Sequence, residues 1–176
     1  METRLVVLDI DGVCNSTDYA LHRAPEDERG SVLGIDPVAV TRLNRLVQVA
    51  RADVVVSSTW RFSRTTAQLS AALTERGFLG KVIGRTPRWI KGPAGDLYPE
   101  DSRGYEIQAW LDLAPDYGIT VESFVILDDD TDMAHLADRL VKTSFATGLL
   151  DEHVDLAIAM LSEPMPLIVV PSSHPR

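Results

Sequence analysis

The chain is 176 residues long, with 45% hydrophobic and 24% charged residues, a formal net charge of −9 and a single cysteine, Cys14. This length suits one domain able to bury a core, and the composition excludes a fibrous or intrinsically disordered chain. The acidic balance disfavours long nucleic acid and anionic membranes as partners, and a lone cysteine excludes an intrachain disulfide and fits a reducing cytoplasm.

Leu5 to Leu8 is a continuous apolar run that ends abruptly at Asp9. It is too short for a signal sequence or a membrane span, so no export is expected. It reads as a strand buried on both faces, whose carboxyl end opens onto polar chemistry. From Gly12 to Ile35 no period is evident, and the segment reads as a loop or small flap.

Asp36 followed by Pro37 marks a helix start, and Val40, Leu43, Val47 and Ala50 recur at helical spacing. Val54 to Val56 is a second strand, running into Ser57, Ser58 and Thr59. Residues 65–76 favour helix, with Gly77 as the stop. Val82 and Ile83 suggest a short third strand.

The stretch from Gly84 to Asp101 is rich in Gly and Pro and reads as a surface loop or lid. Ile107, Trp110, Leu111 and Ala114 mark a helix that Pro115 ends. Phe124 to Leu127 is a fourth strand, entering Asp128, Asp129 and Asp130, and Leu140 to Lys142 suggests a fifth. Val154, Ala157, Ile158 and Leu161 mark the last helix, and the tail from Glu163 holds four of the ten prolines. The expected organisation is one domain over residues 1–162 with a Pro-rich tail over 163–176.

Strands alternating with helices predict an α/β fold with a central parallel sheet, where ligands bind beyond the carboxyl ends of the strands. Asp9, Asp11, Ser57 and Asp128 all fall at such ends. Two like charges about 4 Å apart repel by on the order of 4 kcal/mol at an effective dielectric near 20, so a cation is the natural resolution. Oxygen donors without His or Cys select a hard ion, magnesium before zinc. Asp128, Asp130 and Asp132 imitate the start of a calcium loop, but Met133 and Arg139 stand where its glycine and glutamate belong.

Charge is unevenly spread. Between Ser57 and Arg103 there are eight Lys or Arg against four Asp or Glu, a balance of +4 that leaves −13 elsewhere. Arg61, Arg64, Arg85 and Arg88 read by default as solvated charges, although their clustering also suits a substrate phosphate. Trp60 and Trp110 read as packing residues. Ser57 has a second reading, as a cap on the helix that follows. Cys14 reads as a small packing residue, and His22, His135 and His153 show no paired metal-site spacing.

The run Leu5-Val-Val-Leu-Asp9-Ile-Asp11-Gly12-Val13 resembles the first motif of the haloacid dehalogenase (HAD) superfamily, Ser57 resembles the second, and Val-Ile-Leu-Asp128-Asp129 the fourth. Ser57-Ser-Thr-Trp-Arg61, Arg103-Gly-Tyr-Glu-Ile-Gln-Ala-Trp-Leu111 and Thr147-Gly-Leu-Leu are similar to the HAD domains associated with RNA-repair proteins. The resemblance implies a three-layer Rossmann-like fold with only a minimal cap. It also implies a magnesium-dependent phosphatase in which Asp9 is the nucleophile and Asp11 the general acid and base, a role that starts from a protonated carboxyl.

By the same resemblance, Mg2+ binds Asp9, the main-chain carbonyl of Asp11, and Asp128 or Asp129. Ser57 and Ser58 hold the substrate phosphate. The third-motif lysine is replaced by Arg103, with Lys91 as the competing cation. The expected substrate is a nucleotide or nucleic-acid terminal phosphate. Another small phosphometabolite is the alternative, and a phosphate-binding module of low turnover is the reading from a different class.

Overall fold

A computed structural model describes residues 2–27, 29, 34–88 and 102–163. In chain order these form β1 (Glu2–Leu8), α1 (Pro37–Ala50), β2 (Ala52–Val56), α2 (Thr66–Glu75), β3 (Val82–Arg85), α3 (Ser102–Leu113), β4 (Thr120–Asp128), β5 (Leu140–Lys142) and α4 (Asp151–Ser162). Between β1 and α1, one short helical turn at Tyr19–Arg23 is the regular structure among the described residues. The insert is therefore small. Lys91 and the rest of 89–101, together with the tail over 164–176, lie outside the described residues. No helix among the described residues is long and apolar enough to cross a membrane.

The five strands make one parallel sheet in the order β3-β2-β1-β4-β5. Leu5, Val7, Val55, Phe124 and Ile126 point to one face, where they pack with Ile107 and Trp110 of α3. Val6, Leu8, Val54, Val56, Val125 and Leu127 point to the other, against Leu43 of α1, Leu73 of α2 and Val154 of α4. Alternate side chains of a strand leave on opposite faces, so a sheet covered twice needs apolar residues at every position. That is why these strands are continuous apolar runs, each buried Leu or Val contributing roughly 1.5–3 kcal/mol.

Several elements are longer than the apolar runs suggest. β1 begins at Glu2, β4 at Thr120, β3 continues to Arg85, and α3 begins at Ser102. Apart from Val121 and Gly84, the extra strand residues are polar, and strand pairing extends them: Glu2 pairs with Thr120 and Val56 with Arg85. The helix ends follow local chemistry. Asp36 Oδ1 accepts from the Val38 amide at 2.8 Å, and Thr65 and Gln68 form a reciprocal capping box at 2.8 and 3.2 Å.

The chain builds outward from β1 to β2 and β3, then returns to lay β4 on the other side of β1. Such a reversal leaves a crevice at the strands' carboxyl ends, because the two following loops run in opposite directions. Leu8 is in register with both Val56 and Leu127. The residues that follow, Asp9, Ser57 and Asp128, therefore meet at one level.

Candidate active site

Asp9 leaves β1 with its amide bonded to Leu127 O at 2.9 Å, which places it at the β1/β4 reversal. The next turn is wound tightly around Ile10 O, which accepts from the amides of Val13, Cys14 and Asn15 at 3.3, 2.8 and 3.2 Å. Thr143 Oγ1 ties this turn to the β5 end through Gly12 O at 2.7 Å. Gly12 has φ +71°, and a Cβ there would come within 2.4 Å of Asp129 Cγ. Only glycine permits both the left-handed backbone and the close approach of Asp129.

Carboxylate oxygens of Asp9, Asp128 and Asp129 lie within 4.8 Å of one another. Asp128 Oδ1 accepts from the Asp130 amide at 3.0 Å, while its buried Oδ2 has no hydrogen-bond partner among the described residues. A buried carboxylate oxygen without a donor is costly, and here it converges with two further carboxylates. The donor set is all oxygen and anionic, so these residues fit a hard divalent cation such as Mg2+.

The charges leave their mark on protonation. Burial, then Asp128, pushes the Asp9 pKa up to about 7, although Arg103 and a hydrogen bond from Ser58 pull it back. Burial likewise raises Asp128 to about 6 against the pull of Arg103. Burial raises Asp129 and Asp132 above the usual carboxylate range. Burial raises the Cys14 thiol, with Asp9 adding to the effect, so Cys14 is a neutral core residue.

Arg103, in the first turn of α3, brings Nη1 to 3.3 Å from Asp9 Oδ1 and 3.8 Å from Asp128 Oδ2. The same nitrogen donates to Ser57 O. Burial pulls the guanidinium pKa down, but Asp128 and Asp9 outweigh it and leave the net shift upward. α3 approaches close enough to do this because residue 104 is glycine: a Cβ there would sit 2.1 Å from Met133 O. Arg103 and Gly104 are further held by Asp132, whose Oδ2 and O accept from their amides at 3.3 and 3.0 Å.

The two serines divide their duties. Ser58, rather than Ser57, caps the short 3-10 turn Thr59–Phe62 through the Trp60 amide. Ser57 Oγ is fully buried and has no hydrogen-bond partner among the described residues. A hydroxyl without a partner among the described residues, on the residue whose carbonyl Arg103 binds, is suited to receiving a tetrahedral anion.

Asp11 turns away from the carboxylate triad. Its Oδ1 accepts from Asn15 Nδ2 at 2.8 Å, and both of its oxygens accept from Trp60 Nε1 at 3.1 and 3.2 Å. Asn15 Oδ1 in turn accepts from the Gly12 amide at 2.9 Å. The structure thus brings together Asp9, Ser57, Ser58, Arg103, Asp128 and Asp129, with the Asp11 carboxylate beside them. Asn15, Trp60 and Asp132 join the site without having been expected there. An Asn four residues after Asp11 was the one local signal available.

Arg61 also departs from expectation. It is 2% exposed rather than solvated, and its guanidinium bonds Ser57 O and Glu106. An arginine at the end of a polar loop reads as a surface charge until the acid that buries it, 45 residues away on α3, is in place.

Residues 5–154 match the family described as the HAD domain in Swiss Army Knife RNA repair proteins. The chain belongs to this family. As a HAD domain it has a phosphohydrolase-like character, its relatives being typically hydrolases that generally use Mg2+. Comparison with curated protein sequences returns no match. For a HAD domain, the small insert between β1 and α1 leaves the carboxyl edge of the sheet without a large cap among the described residues.

Proposed function

We propose that this HAD domain is a magnesium-dependent phosphomonoesterase working through an aspartyl phosphate on Asp9. The observation that carries the reading is the position of Asp9. It sits at the sheet reversal within 4.8 Å of two more carboxylates, with the Arg103 cation on its Oδ1 and, at the end of the neighbouring strand, Ser57, whose hydroxyl has no partner among the described residues.

In the first step a carboxylate oxygen of Asp9 attacks phosphorus, the ester P–O bond breaks, and Asp11 gives its proton to the departing oxygen. In the second, Asp11 takes a proton from water as that water attacks the acyl phosphate, releasing inorganic phosphate and restoring Asp9. Arg103 and the Ser57 hydroxyl are placed to stabilise the charge on the transferring group. Asn15 and Trp60 fix the orientation of the Asp11 carboxyl, Asn15 through Oδ1 and Trp60 through both oxygens. Asp9, Asp128 or Asp129, and the Asp11 carbonyl would hold Mg2+, which neutralises charge and polarises phosphoryl oxygens when bound.

The substrate in this reading is a nucleotide or a nucleic-acid terminal phosphate. The RNA-repair setting of the matched family and the small insert, which would admit a bulky phosphorylated end, both support it. Phosphate release from an aryl phosphate, measured with Mg2+ and with chelator, tests the chemistry. Mg2+-dependent release that Asp9→Asn abolishes is the expected result; release indifferent to both overturns the assignment.

A further inference from the structure

Beside the phosphate seat, β2 and β3 end together: Thr86 N bonds Val56 O at 2.9 Å, and Val56 is in register with Arg85. A groove of about 270 Å³ opens there, walled by Arg61, Phe62, Arg85, Thr86, Pro87 and Arg88. Two strand spacings, roughly 10 Å, separate the end of β3 from that of β1, so the groove continues the carboxyl edge away from Asp9. Its wall is bonded to the phosphate seat, since Arg61 donates to Ser57 O.

The groove is cationic, and the Phe62 ring in its wall carries two of its guanidiniums, with Arg64 on the neighbouring Trp60 ring just outside it. The Arg88 guanidinium lies 4.4 Å from the centre of the Phe62 ring, and that of Arg64 lies 4.4 Å from the Trp60 ring. Arg85 donates to Arg61 O and to Arg64 O, bracing the turn. None of Arg64, Arg85 and Arg88 is ion-paired with a carboxylate among the described residues. Phe62 is nevertheless 45% exposed, and Thr86 Oγ1 is buried without a hydrogen-bond partner among the described residues. In a chain of net charge −9, guanidiniums set over aromatic rings with no carboxylate partner among the described residues, beside a buried hydroxyl that also lacks one there, describe a seat for an anion with a planar neighbour.

We infer that this groove is a second subsite of the same active site, binding a phosphate and base two or three nucleotides inward from a phosphorylated oligonucleotide end. The inference rests on the phosphomonoesterase reading for its scissile phosphate. A stacked strand advances about 3.4 Å per nucleotide, so the roughly 10 Å between strand ends spans two or three nucleotides. Guanidinium planes stack on bases and their edges donate to phosphate. The acidic remainder of the surface limits the footprint to that short end.

The test measures binding of a fluorescent trinucleotide, phosphorylated at its 5′ or its 3′ end, to the full chain carrying Asp9→Asn so that nothing is consumed. Arg88→Ala should weaken it about tenfold and reduce the salt slope by about 0.7, while binding of a nucleoside monophosphate stays within about twofold. Thr86→Val should weaken the trinucleotide about fivefold without lowering the melting temperature, since it removes a hydroxyl that has no hydrogen-bond partner among the described residues. Equal binding of trinucleotide and monophosphate, or variants that bind the trinucleotide as the parent does, overturns the subsite. Aryl phosphate turnover by the chain with intact Asp9 reports separately on the hydrolase reading: its absence sinks that reading, and the trinucleotide measurement still decides the groove.

Discussion

Trp60 Nε1 donates to both carboxylate oxygens of Asp11, at 3.1 and 3.2 Å, from the turn that follows β2. An indole otherwise packed in the core thereby orients the group proposed to handle the proton.

Trp60→Phe keeps most of that packing and deletes the donor. A hydrogen bond to a charged group is worth about 1.5–3 kcal/mol, so kcat on an aryl phosphate should fall roughly tenfold or more. KM should stay near the parent value, because the ring does not touch the phosphate seat. Steady-state kinetics separate the two parameters, and equal loss in both would assign Trp60 to binding instead.

Asp9→Asn removes the nucleophile with almost no change in volume. Turnover should become undetectable, while the melting temperature above pH 7 without metal should rise, because one of three converging carboxylates, two of them buried, is neutralised. Calorimetry of the two proteins checks this. A lower melting temperature for the variant would mean that Arg103 depends on the Asp9 charge more than the carboxylates suffer from it.

Burial raises Asp9 from 3.8 to about 7 and Asp128 from 3.8 to about 6. A carboxyl whose folded-state pKa exceeds its unfolded value binds more protons when folded, so its stabilisation is complete below about pH 4 and lost as pH climbs toward 7. Without metal, these two groups should lower the melting temperature across that interval. Mg2+ selects the ionised forms, so the stabilisation it confers should grow over the same range. A thermal melt series with Mg2+ and with EDTA at pH 4.5 to 8 reads both trends, and a pH-independent Mg2+ effect would contradict the raised values.

Arg61 and Glu106 form a buried ion pair beneath the site. Glu106→Ala leaves a buried guanidinium without its acid and should cost about 3–5 kcal/mol. The double change Arg61→Met with Glu106→Leu removes both charges and should recover much of that loss. Urea unfolding of the three proteins measures it. If the double variant is as unstable as the single one, the Arg61 contact with Ser57 O, rather than the ion pair, is what the fold requires.

The strands, their order of appearance and the edge that carries the chemistry were legible in the sequence. Doubly covered parallel strands impose a local signature, an unbroken apolar run stopping at a polar residue, and Leu5 to Asp9, Val54 to Ser57 and Phe124 to Asp128 all carry it. Helix starts such as Asp36-Pro37 are equally local, because a cap acts on the next turn. What the side chains at the edge touch was decided only by the tertiary structure. Asp11 meets Trp60 across 49 residues, Arg61 meets Glu106 across 45, and Arg103 meets Asp9 across 94. No periodicity encodes those distances. Arg61, Arg85 and Arg88 look alike in the sequence, yet the approach of α3, allowed by Gly104, buries the first against an acid and leaves Arg88 exposed. The sequence by itself determined where charge and hydroxyl would gather; the packing of α3 against the β4 loop decided which of them became partners and which stayed open to a ligand.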